Sequence, residues 1–327
     1  MEINYIILAH TNPDQVKRLI TVLDSPSCRF YLHIDLNSDI LPFKQALQTF
    51  PNVFFLTDNQ RRRGAWGHIS IVEGTINALR QIIADNRTGY CVLLSGQDYP
   101  LKSNGYITAY FTKHAGTNFI SAYPMPRKEW HTHGGMGRLN VYKIDRSYKR
   151  SEYAILHSFW NKEFYRIKTL RDIKGLFWAG KFRFLFKLFK KRKFPAYLKP
   201  YGGDQWWALP MSTVKAVLAF LDEHPDYLKY HQDSLMPDEI FFQSIIMSLA
   251  QTNLNAWQLA PSLTYVNWER ENVPLPVTFK ASDYPELEKQ PDTKLFARKF
   301  DATRDATILN LLDQQLIPRR GTYLEED

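Results

Sequence analysis

One run of residues limits what this chain can fold into more than any other: Y-C-V-L-L-S-G-Q-D-Y-P-L at positions 90–101. Cys91, Val92, Leu93 and Leu94 are unbroken and apolar, which suits a strand covered on both faces, and Ser95-Gly96 ends the run abruptly. The run therefore predicts a buried parallel strand in a layered α/β sheet. Beyond it comes a polar corner, Gln97-Asp98, closed by Tyr99-Pro100. Open α/β sheets bind ligands beyond the carboxyl ends of such strands, so Ser95, Gly96, Gln97 and Asp98 are candidate site residues. Ser, Gly and Asp also build ordinary turns, and a capped turn is the competing reading.

The first ninety residues fit the same plan. Residues 3–9 read as a strand that delivers His10 to a loop, and Val16, Leu19, Ile20 and Leu23 then recur at helical spacing. Strands follow at 30–35 and 53–56, which places His10 and Asp35 on the ligand edge of a strand-helix-strand unit. Alternatively, His10 and His33 satisfy backbone groups and Asp35 caps a turn. Residues 60–68 read Q-R-R-R-G-A-W-G-H and feed a helix whose Ile69, Val72, Ile76, Leu79 and Ile83 share a face. A guanidinium at a helix start can grip a phosphate, so Arg62, Arg63 and Trp66 join the candidates, against the reading of a solvated charge run. No G-x-G-x-x-G and no P-loop pattern occurs.

Composition supports a large core, with 44% hydrophobic and 14% aromatic residues in 327. That length predicts one large domain, or one with an inserted lobe. The net charge of +9 calls for an anionic partner: a nucleotide-sugar diphosphate, an anionic lipid surface or nucleic acid. Two distant cysteines, Cys28 and Cys91, give neither a disulfide framework nor a zinc signature, which fits a reducing compartment. The first ten residues lack a basic leader and a long apolar run, so the expectation is a cytoplasmic protein. Residues 181–193, K-F-R-F-L-F-K-L-F-K-K-R-K, place Phe182, Leu185, Phe186 and Phe189 at helical spacing among seven basic residues. Such a helix either docks on an anionic membrane surface or packs its rings on the main domain. No nucleic-acid module accompanies it, and none is expected as a partner. His131 and His133 fall short of the three protein ligands a catalytic zinc site needs.

The last third adds further candidates. Residues 201–210, Y-G-G-D-Q-W-W-A-L-P, read as a glycine turn opening into an aromatic strand, where Trp206 and Trp207 either stack on a sugar or pack in the core. At 237–239, P-D-E opens a helix; the dipole explains Asp238 and Glu239 structurally, while Glu239 also lies where a base meets a substrate hydroxyl. The dipole lowers a carboxylate's pKa, so a base there needs compensating burial. Residues 263–268 read as a strand ending in Asn267-Trp268, and Phe296 and Phe300 anchor a cationic pair, Arg298-Lys299, able to neutralise a diphosphate.

Taken in order, L-A-H at 8–10, H-I-D at 33–35, the arginines before Trp66-Gly67, S-G-Q-D-Y-P at 95–100, P-D-E, N-W at 267–268 and F-A-R-K-F at 296–300 resemble the core-2/I-branching β-1,6-N-acetylglucosaminyltransferase and xylosyltransferase family, glycosyltransferase family 14, in a bacterial form. The resemblance spans most of the chain. It implies a GT-A-type fold, with a Rossmann-like mostly parallel central sheet flanked by helices and here a basic helical insertion. It implies inverting transfer from a UDP-sugar to a glycan or lipid-linked glycan hydroxyl, without a divalent metal or other cofactor, in polysaccharide or glycoconjugate synthesis; the sequence contains no D-x-D. By similarity Glu239 is the general base, and Lys299 with Arg298 stabilises the leaving UDP. His10, Asp35, Arg62, Arg63, Trp66 and Ser95 to Asp98 line the nucleotide-sugar end, while Asp238, Trp206 and Trp268 face the acceptor. The expected layout is a nucleotide-sugar half at 1–125, the insertion at 150–200 and an acceptor-binding and catalytic half at 201–327. Where the animal enzymes carry a second basic residue, this chain reads P-L-P-V-T-F-K, leaving Lys280 and Arg298 as substitutes. The animal enzymes also have a membrane anchor; here 181–193 offers peripheral contact with the inner membrane face instead.

Overall fold

Every residue of the strand at 90–95 is buried in the computed structural model, which describes residues 1–147, 152–252 and 257–319. This strand, β4 (Tyr90–Ser95), lies in a seven-stranded sheet beside β1 (Ile3–Ala9), β2 (Cys28–Ile34) and β3 (Val53–Phe55), all parallel to it. On the other side of β4 the sheet continues with strands Trp207–Pro210, Thr117–Ile120 and Gln258–Ala260. Only Trp207–Pro210 runs against the rest. The mostly parallel α/β sheet expected from the sequence is therefore present.

The sheet is apolar on both faces because helices cover both. Tyr5 and Ile7 of β1 belong to one layer, with Val16, Leu19, Ile20 and Leu23 of helix Pro13–Leu23. Ile6 belongs to the opposite layer, with Val72, Ile76, Leu79 and Ile82 of helix Ser70–Ala84. Ile83, also expected on this face, packs half-buried against the same layer, and Ile82 beside it is fully buried. Parallel register pairs Leu8 with Ser95 and Ala9 with Ile34, so the carboxyl ends of β1, β2 and β4 open along one edge.

A three-stranded sheet caps that edge. Strand β5 (Asp98–Pro100), which continues the polar corner, pairs antiparallel with Phe296–Arg298, which pairs in turn with Thr264–Val266. Phe296 and Phe300 are fully buried and fix the Arg298-Lys299 segment, as their spacing predicts.

The segment read as a basic amphipathic helix takes a different form. A hairpin of Tyr142–Asp145 and Tyr153–Leu156 packs with helix Ile167–Trp178 and a tight run of 3-10 turns, Phe182–Phe189, around Leu156, Leu176 and Leu188. The 3-10 winding breaks the α-helical stripe: Leu188 is buried and Leu185 half-buried, while Phe182, Phe186 and Phe189 are exposed. Among the described residues no helix is long and apolar enough to cross a membrane.

Candidate active site

The corner after β4 is built around a buried carboxylate. Asp98, with no exposed side-chain surface, accepts a hydrogen bond from the Ser95 backbone N–H. It also accepts from Arg298 Nη1 at 3.3 Å, and the same guanidinium nitrogen donates to Ser95 Oγ. Strand pairing sets this up, because Arg298 lies directly opposite Asp98. Burial pushes the Asp98 carboxyl upward in pKa, with Arg298 and the Ser95 bonds opposing. Asp98 is thus the holder of the cation rather than a group facing the opening. The adjoining backbone is pinned twice more: Phe300 N–H donates to Gln97 O at 2.8 Å, and Gln15 Nε2 donates to Gly96 O and Phe300 O at 2.8 and 3.1 Å.

Trp206 belongs to the same cluster, and its expected role changes. It is only 5% exposed, and the Arg298 guanidinium lies 4.5 Å from its ring centroid. A ring covered in this way is a floor that orients a cation, not an open platform for an acceptor sugar. Trp207 is core, edge-on to Phe242 at 5.4 Å.

Glu239 closes a short 3-10 turn, Pro237–Glu239, ahead of helix Phe241–Thr252. Its carboxylate is paired with Arg138, both side chains about one-fifth exposed. Arg138 in turn stacks on Trp130, 4.2 Å from the ring centroid. Burial raises the Glu239 pKa and Arg138 pulls it back, with the net displacement upward. The compensating burial that a base at this position requires is therefore in place. Beside it, Asp238 Oδ1 is buried without a hydrogen-bond partner. Burial, then the Glu239 charge, push the Asp238 pKa up to about 7, while Arg138 and Arg298 oppose. Arg298 is therefore close enough to Asp238 for its charge to be felt there, and the two motifs, distant in sequence, are neighbours in the fold.

Two glycines permit this approach. A Cβ on Gly203 would sit 1.7 Å from Ser121 O, so only glycine lets this backbone pass, and its N–H reaches Glu239 O at 2.9 Å. Asp204 follows, its pKa raised by burial and its charge felt by Glu239. Gly67, at φ +63°, accepts a bond at its carbonyl from Met236 N–H at 3.0 Å and so ties the W-G motif to the P-D-E turn.

The remaining candidates spread along the sheet edge. Asp35 accepts from Asn37 N–H at 2.7 Å and Gly64 N–H at 2.9 Å, and His33 Nε2 accepts from Arg62 N–H at 2.9 Å, which are the turn-capping and backbone-satisfying roles. Burial lowers His33 to a pKa of about 4, keeping it neutral as an acceptor. His10 and Arg63 are exposed at this edge, while Arg62 pairs with Glu73 at 3.3 Å. Arg61, not among the candidates, is the buried arginine, donating to the Ile34, Asp35 and Ser38 carbonyls. Trp66 stacks on Tyr153 at 5.7 Å, and Trp268 is half exposed just beyond the strand paired with Phe296–Arg298. Lys299 exchanges backbone bonds with Val277 and Phe279 beside this strand, whereas Lys280 is exposed. His131 and His133 lie in the short helix His131–Gly134, and among the described residues no group of three His, Cys, Asp or Glu could hold a metal.

Sequence reasoning missed Arg138, Trp130 and Asp204. Arg138 ends a glycine-rich loop, G-G-M-G-R, which carries no pattern naming its partner. Asp204 was hidden in what reads as a turn.

Residues 3–289 match the sequence model of the Core-2/I-Branching enzyme family. Xylosyltransferase 2 of Homo sapiens is 23% identical over 343 aligned positions, covering 99% of this chain and 34% of the relative. Xylosyltransferase oxt of Drosophila melanogaster is 22% identical, covering 95% and 32%. Xylosyltransferase 1 of Rattus norvegicus is 20% identical, covering 97% and 35%. The chain thus spans about a third of the length of these curated relatives. Among solved structures, 4-diphosphocytidyl-2C-methyl-D-erythritolsynthase from Anaerococcus prevotii DSM 20548 aligns with a TM-score of 0.36 at 10% identity, over 80% of this chain and 87% of that one.

Proposed function

The chain belongs to the core-2/I-branching enzyme family, and from that premise we propose that it is an inverting glycosyltransferase, moving a sugar from a UDP-sugar to a glycan hydroxyl without a divalent metal. The observation that carries the reading is a largely buried, raised-pKa Glu239 next to Asp238, whose carboxyl feels the charge of Arg298. In a single displacement the acceptor hydroxyl attacks the anomeric carbon from the face opposite UDP. Glu239 takes the hydroxyl proton as the new bond forms and the bond to the diphosphate breaks. Negative charge gathers on the departing diphosphate, where a fixed cation is worth most because it need not reorganise. Arg298, held by Asp98, Ser95 and Trp206, is such a cation, and Lys299 adds a second charge. His10, Arg63 and the Ser95 corner then line the nucleotide end, and half-exposed Trp268 offers a ring to the acceptor. The acceptor belongs to polysaccharide or glycoconjugate assembly.

The test is UDP release from a panel of UDP-sugars, each with and without EDTA, for the parent and Glu239→Gln. UDP-xylose leads the panel because the relatives are named xylosyltransferases, with UDP-GlcNAc next. The expected result is turnover of one donor that survives EDTA and falls by about two or more orders of magnitude in the variant. Loss of activity with EDTA overturns metal independence. An unaffected Glu239→Gln overturns the base.

A further inference from the structure

The outward face of the insertion is built against the usual rule for a surface helix. Helix Ile167–Trp178 turns Thr169, Asp172 and Leu176 inward and leaves Ile167, Leu170, Phe177 and Trp178 facing out, the last 83% exposed. The Phe182–Phe189 turns extend this surface, with Phe177 stacked on Phe182 at 6.1 Å and Phe186 72% exposed. At the far end Phe189 stacks on Phe159 at 5.7 Å, and Trp160 is fixed by its Nε1 donating to Phe189 O at 2.7 Å. The rings are thus positioned by one another while open to solvent.

Cations surround them. Positions 157–200 hold thirteen Lys and Arg but two acidic residues, Glu163 and Asp172, and these are already paired with Arg166 and Arg146. Among the described residues Lys168, Arg171, Lys174, Arg183, Lys190 and Lys191 make no ion pair. Protein interfaces are depleted in lysine at their centres, whereas rings interleaved with unpaired lysines match the depth profile of a bilayer surface: acyl boundary below, phosphates above.

We propose that this face docks the protein on an anionic bilayer. The insertion is strapped to the segment just before the turn that carries the base: Lys187 pairs with Asp233 at 2.9 Å, and Arg192 Nη2 donates to Ser234 Oγ at 2.8 Å and Tyr230 O at 3.0 Å. Docking therefore holds the Pro237–Glu239 turn at a set position relative to the membrane. On the reading proposed above, this presents the site to a lipid-linked glycan; the docking itself does not depend on that reading.

Flotation of the full chain with vesicles tests it, comparing phosphatidylcholine alone with an equal mixture of phosphatidylglycerol and phosphatidylcholine. The parent floats with the anionic vesicles only. A charge variant, Lys168→Gln/Arg171→Gln/Lys174→Gln, binds about two orders of magnitude more weakly at low salt, as expected for three surface cations. An apolar variant, Leu170→Ser/Phe177→Ser/Phe186→Ser, also loses flotation. Both keep the parent's unfolding midpoint and its UDP release in solution, so a failure of docking is distinguishable from a failure of fold or chemistry. Equal flotation with neutral vesicles, no flotation with anionic ones, or self-association of the parent that the apolar variant abolishes would overturn the proposal.

Discussion

The site and the insertion use the same kinds of residue in opposite ways. In the site, Arg298 and Arg138 are each held by a carboxylate and laid on a tryptophan, Asp98 being fully buried and Glu239 largely so. On the insertion's outer face, lysines stay unpaired in water and aromatic rings are exposed beside them. A cation fixed in a poorly solvated space is preorganised for charge that appears at one point, whereas solvated cations on long stems suit a diffuse field of charge. Placement, not residue type, separates the two.

Arg298→Met breaks the comparison most severely, since it turns a preorganised cation into an apolar chain. Transfer is expected to fall by about two to three orders of magnitude. Stability falls too, on the order of 3 kcal/mol, because buried Asp98 keeps its place without its partner. Single-turnover kinetics and denaturant titration measure the two effects. An unchanged rate in a folded variant would remove Arg298 from the leaving-group side.

Arg138→Met is milder and tests positioning. Arg138 opposes the burial that raises the Glu239 pKa, so without it Glu239 holds its proton to higher pH and the acid limb of kcat/KM moves alkaline. Activity is expected to fall most at the acid end of the pH profile and to recover as pH rises. A uniform loss at every pH would mean that Arg138 serves only to hold the loop.

Asp238→Asn should have the smallest effect, and on stability. The folded protein holds the Asp238 proton up to about pH 7, whereas the unfolded chain releases it near the ordinary value of 3.8. Stability from this group is therefore full below the lower value and lost as pH rises through the upper one. The variant should match the parent near pH 4 and unfold at a higher temperature near pH 8. Thermal melts at the two pH values decide it; a variant less stable at pH 8 would show that the carboxylate is ionised and needed.

Short-range physics made much of the fold readable. Helical spacing of Val16, Leu19, Ile20 and Leu23 named a face whose four residues are all buried, and the apolar run at 91–94 named the central strand. The anchoring of the cationic pair by Phe296 and Phe300 was equally readable, because both lie within two residues of it. The 182–189 stripe misled for the same reason it was attractive: it assumed an α-helical period, and 3-10 winding sent Leu188 inward in place of the phenylalanines. Trp206 misled because a tryptophan beside a glycine turn looks the same whether its face is open or lies under Arg298.

The sequence by itself determined the alternation of elements, the carboxyl edge at which β1, β2 and β4 end, and the residue types able to serve as base and cation, since these follow from periodicity and side-chain chemistry. Only the tertiary structure decided partners. Arg138 and Glu239 are 101 residues apart and Arg298 and Asp98 are 200 apart, so no local pattern names either pair. Strand register and a glycine passing close to Ser121 bring them together, and burial raises the pKa values of the two carboxylates. Those shifts are what turn an acidic turn and a basic strand into a site.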